Sequence, residues 1–62
     1  MNNIRKYRVE NGYQLQELAK KVGITTGYMC HLEKGTRSHP SYEIMKKISQ
    51  ELNKSIQEIF ED

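Results

Sequence analysis

The chain has 62 residues, 35% of them hydrophobic and 29% charged, with ten lysines and arginines against eight aspartates and glutamates. That balance describes one small globular domain and excludes a disordered chain. No apolar run approaches the ~20 residues that span a bilayer, and the polar Asn2 and Asn3 do not open a secretory signal.

Below ~70–80 residues a single core is thin, and burial removes only about 60% of the unfolded surface. A second copy of the chain is therefore an expected stabiliser. The one cysteine, Cys30, cannot form an internal disulfide, which points to a reducing compartment, the cytoplasm. Residues 1–53 carry nine basic side chains against five acidic ones, whereas 54–62 set Lys54 against Glu58, Glu61 and Asp62. A basic body with an acidic tail suits a polyanionic partner, although many solvated surfaces look alike.

In chain order the sequence reads as five short helices. Strand-like alternation never persists, proline occurs once, and the glycines separate segments of helical apolar spacing. The first helix is predicted from about Asn3 to Asn11, ending at Gly12. The second runs from about Leu15 to Val22 and ends at Gly23. Thr25 is a good N-cap for the third, which closes at Gly35. Pro40 and Ser41 open the fourth, which reaches about Leu52, with Ser41 as its N-cap. Ser55 and Glu58 stand at capping-box spacing and announce a last helix that ends near Phe60.

The expected core follows from helical spacing. Leu15, Leu18, Ala19 and Val22 share one face of the second helix; Tyr42, Met45, Ile48, Ser49 and Leu52 share one of the fourth. Ile56, Ile59 and Phe60 come from the last helix, and Tyr13 and Ile24 plug the ends from the turns. Stripes of this kind ordinarily signal burial, not a ligand box.

The third helix carries the functional question. Advancing 100° per residue from Thr26 puts Tyr28, Met29 and Leu32 on the buried side. The opposite side holds Gly27, Cys30, His31 and Lys34, with Thr26 at its flank. It has no acid, whereas a solvated helix face ordinarily carries Glu, Lys and Gln. Gly27 costs roughly 1 kcal/mol against alanine, yet it lets another surface approach the backbone. A major groove, ~12 Å wide, admits one helix whose N-terminal residues meet base edges. There Thr26 offers a methyl and a hydroxyl, and His31 a donor to guanine or phosphate. The plainer alternative is a helix start that merely lacks charge.

The stretch LAKKVGITTGYMCHLEKGTRSHPS resembles the helix-turn-helix of the Cro and phage-repressor superfamily, also called the xenobiotic-response-element family. The resemblance rests on Leu18-Ala19, Gly23, Thr25, Tyr28, Leu32-Glu33, Gly35, Arg37 and Pro40-Ser41, and extends from Ile4 through LNKSIQEIF. It implies an all-α, compact five-helix, lambda-repressor-like domain occupying residues 1–62, with helices 2 and 3 as the helix-turn-helix. The implied function is a transcriptional regulator, a repressor, that binds double-stranded DNA sequence-specifically as a homodimer on a palindromic operator. No cofactor, metal, small-molecule ligand or membrane is implied.

Positions matching the family's base-contacting residues are Thr26, Gly27, Cys30 and His31. Those matching its phosphate contacts are Gln14, Gln16, Thr25, Tyr28 and Lys34, with Thr36, Arg37 and Ser38 in the loop after the third helix. Arg8 and Glu33 match a structural ion pair between the first and third helices. Two departures stand out. Leu15 replaces a glutamine that often grips a phosphate, leaving Gln14, Gln16 or neither in that role. The loop EKGTRSHPS is one residue longer than usual, with His39 inserted.

For the dimer, the apolar supply lies late in the chain: Ile44 sits at the edge of its stripe, and Ile56, Ile59 and Phe60 cannot all turn inward on so short a helix. A twofold pair would address half-sites about 10–10.5 bp apart, or a multiple of that. Glu61 and Asp62 would then lie away from the phosphates.

Other classes fit less well. No Ser/His/Asp constellation exists, and the chain leaves little room for a walled pocket of ~300 Å³. Cys30, His31 and His39 lack the second spaced pair of a structural zinc site. Cys30 as a redox switch beside Lys34 competes with a small residue that simply fits a groove. A protein-interaction module, antitoxin or regulator-sequestering partner, remains the rival class, because the fold alone does not guarantee DNA binding. Lys20, Lys21, Arg37, Lys46 and Lys47 favour DNA over it. No exposed aromatic platform speaks for single-stranded RNA.

Overall fold

A computed structural model describes residues 2–35 and 40–60. Those residues form five helices, α1 (Ile4–Glu10), α2 (Leu15–Val22), α3 (Thr26–Lys34), α4 (Tyr42–Leu52) and α5 (Ile56–Phe60). The architecture is all-α, with no strand among the described residues.

Local chemistry explains most of the boundaries. Thr25 Oγ1 accepts from the Tyr28 amide at 3.1 Å, and Ser41 Oγ from the Ile44 amide at 3.3 Å, which satisfies first-turn donors of α3 and α4. Ser55 and Glu58 bond reciprocally, Glu58 N to Ser55 Oγ at 3.0 Å and Ser55 N to Glu58 Oε2 at 3.1 Å, as their spacing predicts. The first helix is one residue shorter at each end than expected, because Asn3 and Asn11 flank it as caps.

Nine side chains form the core: Ile4, Leu18, Ala19, Val22, Met29, Leu32, Ile48, Leu52 and Ile59. Each fully buried Leu or Ile contributes roughly 1.5–3 kcal/mol over its exposed state. Tyr13, Leu15, Ile24, Tyr28, Ile44 and Phe60 are half-buried and pack around this cluster.

Two expectations need correction. Tyr42 shares the stripe of α4 by spacing but is 65% exposed. It is the first residue of its helix, and helical side chains lean toward the N-terminal turn, where this one has no core to meet. Ile59, assigned above to a dimer surface, is 0% exposed within the single chain and is therefore out of a second copy's reach. It lies beneath α1, whose start is held by Asn3 N donating to Ile59 O at 2.7 Å and Asn3 Nδ2 to Glu58 O at 2.9 Å. Ile4, absent from the expected core, is wholly buried: seven residues of α1 were too few to show a stripe.

Asparagine side chains tie the elements together over long sequence distances. Asn2 Nδ2 donates to Leu32 O at 2.7 Å, fastening the start of α1 to α3. Asn11 Nδ2 reaches Leu52 O at 3.3 Å and fastens its end to α4.

Candidate nucleic-acid interface

The angle between α2 and α3 is set by a three-residue joint, residues 23–25. Gly23 takes φ 87°, a left-handed conformation that side-chain-bearing residues adopt at a cost, and its amide donates to Ala19 O at 2.9 Å. The Ile24 amide also returns to Ala19 O, at 3.0 Å, while its side chain packs on the core. With the second bond of the Gly23 amide, to Lys20 O at 3.2 Å, the Ile24–Ala19 bond and its apolar anchor make a Schellman stop. Thr25 then starts α3 at once, so two rigid helices meet at a fixed angle.

Within α3, Met29 and Leu32 are buried, and Tyr28 is half-buried against the core. Thr26, Gly27, His31 and Lys34 are exposed, and Cys30 is half-buried. Nothing lies within 4 Å of where a Gly27 Cβ would stand, so the packing of the chain does not require glycine there.

The acid of this helix, Glu33, is turned away from the exposed strip. Its carboxylate accepts from Arg8 Nε and, at 3.3 Å, from Arg8 Nη2, forming an ion pair whose side chains are only 13% and 9% exposed. Arg8 Nη1 donates to Tyr13 O at 2.9 Å, so one guanidinium fastens α1, α3 and the α1–α2 turn. The strip is left with no negative charge of its own.

The other site positions fall into three groups. Gln14, Gln16 and Thr25 are exposed at the N-terminal ends of α2 and α3, on the side where those helix starts present their positive dipole ends. Gln14 is the N-cap of α2, its amide donating to Glu17 Oε1 at 2.9 Å, whereas Leu15 is half-buried against the core. Thr36, Arg37 and Ser38, with His39, lie outside the described residues, as do Glu61 and Asp62. Ile44, Ile56 and Phe60 are half-buried on α4 and α5, apart from the strip in the chain's order.

Sequence reasoning did not single out Arg5. Arg5 is exposed on α1 and lines an open groove with Cys30 and Lys34 of α3. The one-turn spacing of Arg5 and Arg8 was the available signal. Among the described residues, no three His, Cys, Asp or Glu side chains come together as a metal site, and no helix is long and apolar enough to cross a membrane.

Two helices joined by a tight glycine stop, the second presenting a small, acid-free strip, define a helix-turn-helix domain. The chain belongs to the helix-turn-helix family, which it matches over residues 4–59, and within it to the xenobiotic-response-element type. It is similar to the HTH-type transcriptional regulator SinR of Bacillus subtilis, at 34% identity over 59 residues, covering 95% of this chain and 53% of SinR. The chain thus spans about half the length of that relative. Its fold matches a crystal structure of SinR, the master regulator for biofilm formation, in complex with DNA: TM-score 0.81, 36% identity, 89% of this chain and 87% of that one. It also matches a SinR–SinI protein complex, with TM-score 0.82 and 36% identity, over 89% of this chain and 53% of that one.

Proposed function

We propose that this chain is the DNA-binding domain, residues 1–62, of a transcriptional regulator, a repressor that works in the cytoplasm without a cofactor. The observation that carries this reading is the exposed strip of Thr26, Gly27, His31 and Lys34, open at Gly27 and free of acid. A helix entering a major groove needs small residues at its start, donors along its length and no carboxylate facing phosphates. Thr26, Gly27, Cys30 and His31 would meet base edges. Gln14, Gln16, Thr25, Tyr28 and Lys34 would meet the backbone, with Thr36, Arg37 and Ser38 beyond them.

Two copies on a palindromic operator complete the proposal, since one helix reads only a few base pairs. Their contact would use Ile44, Ile56 and Phe60, all half-buried in the single chain. Sedimentation of the wild type and of Ile56→Glu at micromolar concentration tests it. A 7.3 kDa monomer in both, with and without a palindromic duplex, would refute the dimer.

Selection from a random duplex pool tests the DNA reading itself. A recurring motif is expected, and Gly27→Glu should lose binding while keeping its helical content, because bulk and negative charge would meet the groove. Absence of any enrichment would shift the weight to the second reading, a protein-interaction module. That reading draws on the SinR–SinI complex and on Tyr42. The DNA reading is preferred because the exposed strip of α3 is free of acid and open at Gly27.

A further inference from the structure

An open groove of about 530 Å³ lies where the start of α1 faces α3, beside the first residue of α2. Leu15 and Cys30 supply its apolar wall; Arg5, Arg8 and Lys34 bring three cations, and Glu33 one carboxylate. Both Glu33 oxygens are taken by Arg8. Neither Arg5 nor Lys34 forms an ion pair or hydrogen bond among the described residues. Among the described residues the groove therefore carries two positive charges that no acid pairs, from two different helices, over a neutralised ion pair.

The position of Arg5 is rigid at its root. Asn2 Oδ1 accepts from the Ile4 amide at 3.1 Å while Asn2 Nδ2 holds Leu32 O at 2.7 Å, so the first turn of α1 is fastened to α3 itself. Arg5 follows three residues after Asn2 and moves with the helix that carries Thr26, Gly27 and His31. Lys34 links the groove to the exposed strip, since it borders both.

We propose that this groove seats one backbone phosphate of the duplex bound by α3, with Arg5 as a phosphate-contacting residue beside Lys34. The proposal rests on the DNA-binding reading above. A phosphodiester has the charge the groove lacks, and a guanidinium on a fastened helix start meets two of its oxygens at once. Arg5 thereby extends the backbone contacts beyond the helix-turn-helix to α1, and sets the depth at which α3 sits.

The test compares wild type, Arg5→Gln, Arg5→Lys and Lys6→Gln on a duplex obtained by selection. Lys6 is the control: it removes the same charge from the same helix, but its ammonium stands 5.5 Å from the Tyr7 ring centroid, and it does not line the groove. For each bound chain, Arg5→Gln should reduce the slope of log affinity against log salt by about 0.9 and weaken binding about eightfold at 0.1 M salt, both effects compounding in a two-chain complex. Arg5→Lys should keep the slope, and Lys6→Gln should change it far less than Arg5→Gln does. A duplex scanned with single methylphosphonates should contain one position, repeated by symmetry, whose neutralisation weakens wild type clearly more than Arg5→Gln, which keeps only the Lys34 contact there. Equal slopes for Arg5→Gln and Lys6→Gln, or no such position, would overturn the phosphate seat while DNA binding stands. A wild type that binds no duplex at low salt would overturn both.

Discussion

Replacing Gly27 by alanine should make the isolated protein more stable. Gly27 is the second residue of α3, carries no positive φ and has no heavy atom within 4 Å of its would-be Cβ. Alanine therefore meets no clash and loses less backbone freedom on folding. Glycine inside a helix costs roughly 0.5–1 kcal/mol against alanine. A domain of this size is stable by only about 3–9 kcal/mol, so the gain is a visible fraction. At ~4–8 °C per kcal/mol it corresponds to a rise in Tm of about 2–8 °C, read by circular dichroism without DNA. An unchanged or lowered Tm would refute the reasoning, because it would mean that the fold itself uses the glycine. The same variant should bind its selected duplex more weakly than wild type, since a methyl would stand where the helix start meets base edges. A gain in stability with undiminished affinity would leave the glycine without the groove-facing role proposed here.

Two further substitutions probe the scaffold. Glu33→Leu leaves the Arg8 guanidinium, with its side chain 13% exposed, without its carboxylate and should cost about 3 kcal/mol in urea unfolding. Adding Arg8→Met should recover part of that loss but not all, because Arg8 also donates to Tyr13 O; strictly additive losses would argue against a coupled pair. Asn53, the C-cap of α4 at φ 57°, should lose about 1 kcal/mol as Asn53→Ala and nothing as Asn53→Gly, which thermal melts of the two variants compare directly. Equal losses in both would show that the Asn53 side chain, not its backbone conformation, holds that turn.

Sequence alone determined the features whose physics is local. Gly23 stopping α2, Thr25 capping α3, Ser41 capping α4 and the Ser55–Glu58 box each join groups within five residues of one another, so the chain announces them wherever it folds. The same holds for the acid-free side of α3, which follows from the 3.6-residue repeat. The Arg8–Glu33 pair, 25 residues apart, was legible only through resemblance to a family. Tertiary structure decided which apolar residues are inside. Ile59 and Tyr42 both lie on helical stripes, but Ile59 is covered by α1 and Tyr42 by nothing in the described chain. It also decided that Asn2 would hold Leu32, 30 residues away, and so bring Arg5 to the same groove as Cys30 and Lys34. A period says which residues share a face of one helix; only packing says which face of another helix stands opposite, and the charge gathered between α1 and α3 belongs to that second kind of fact.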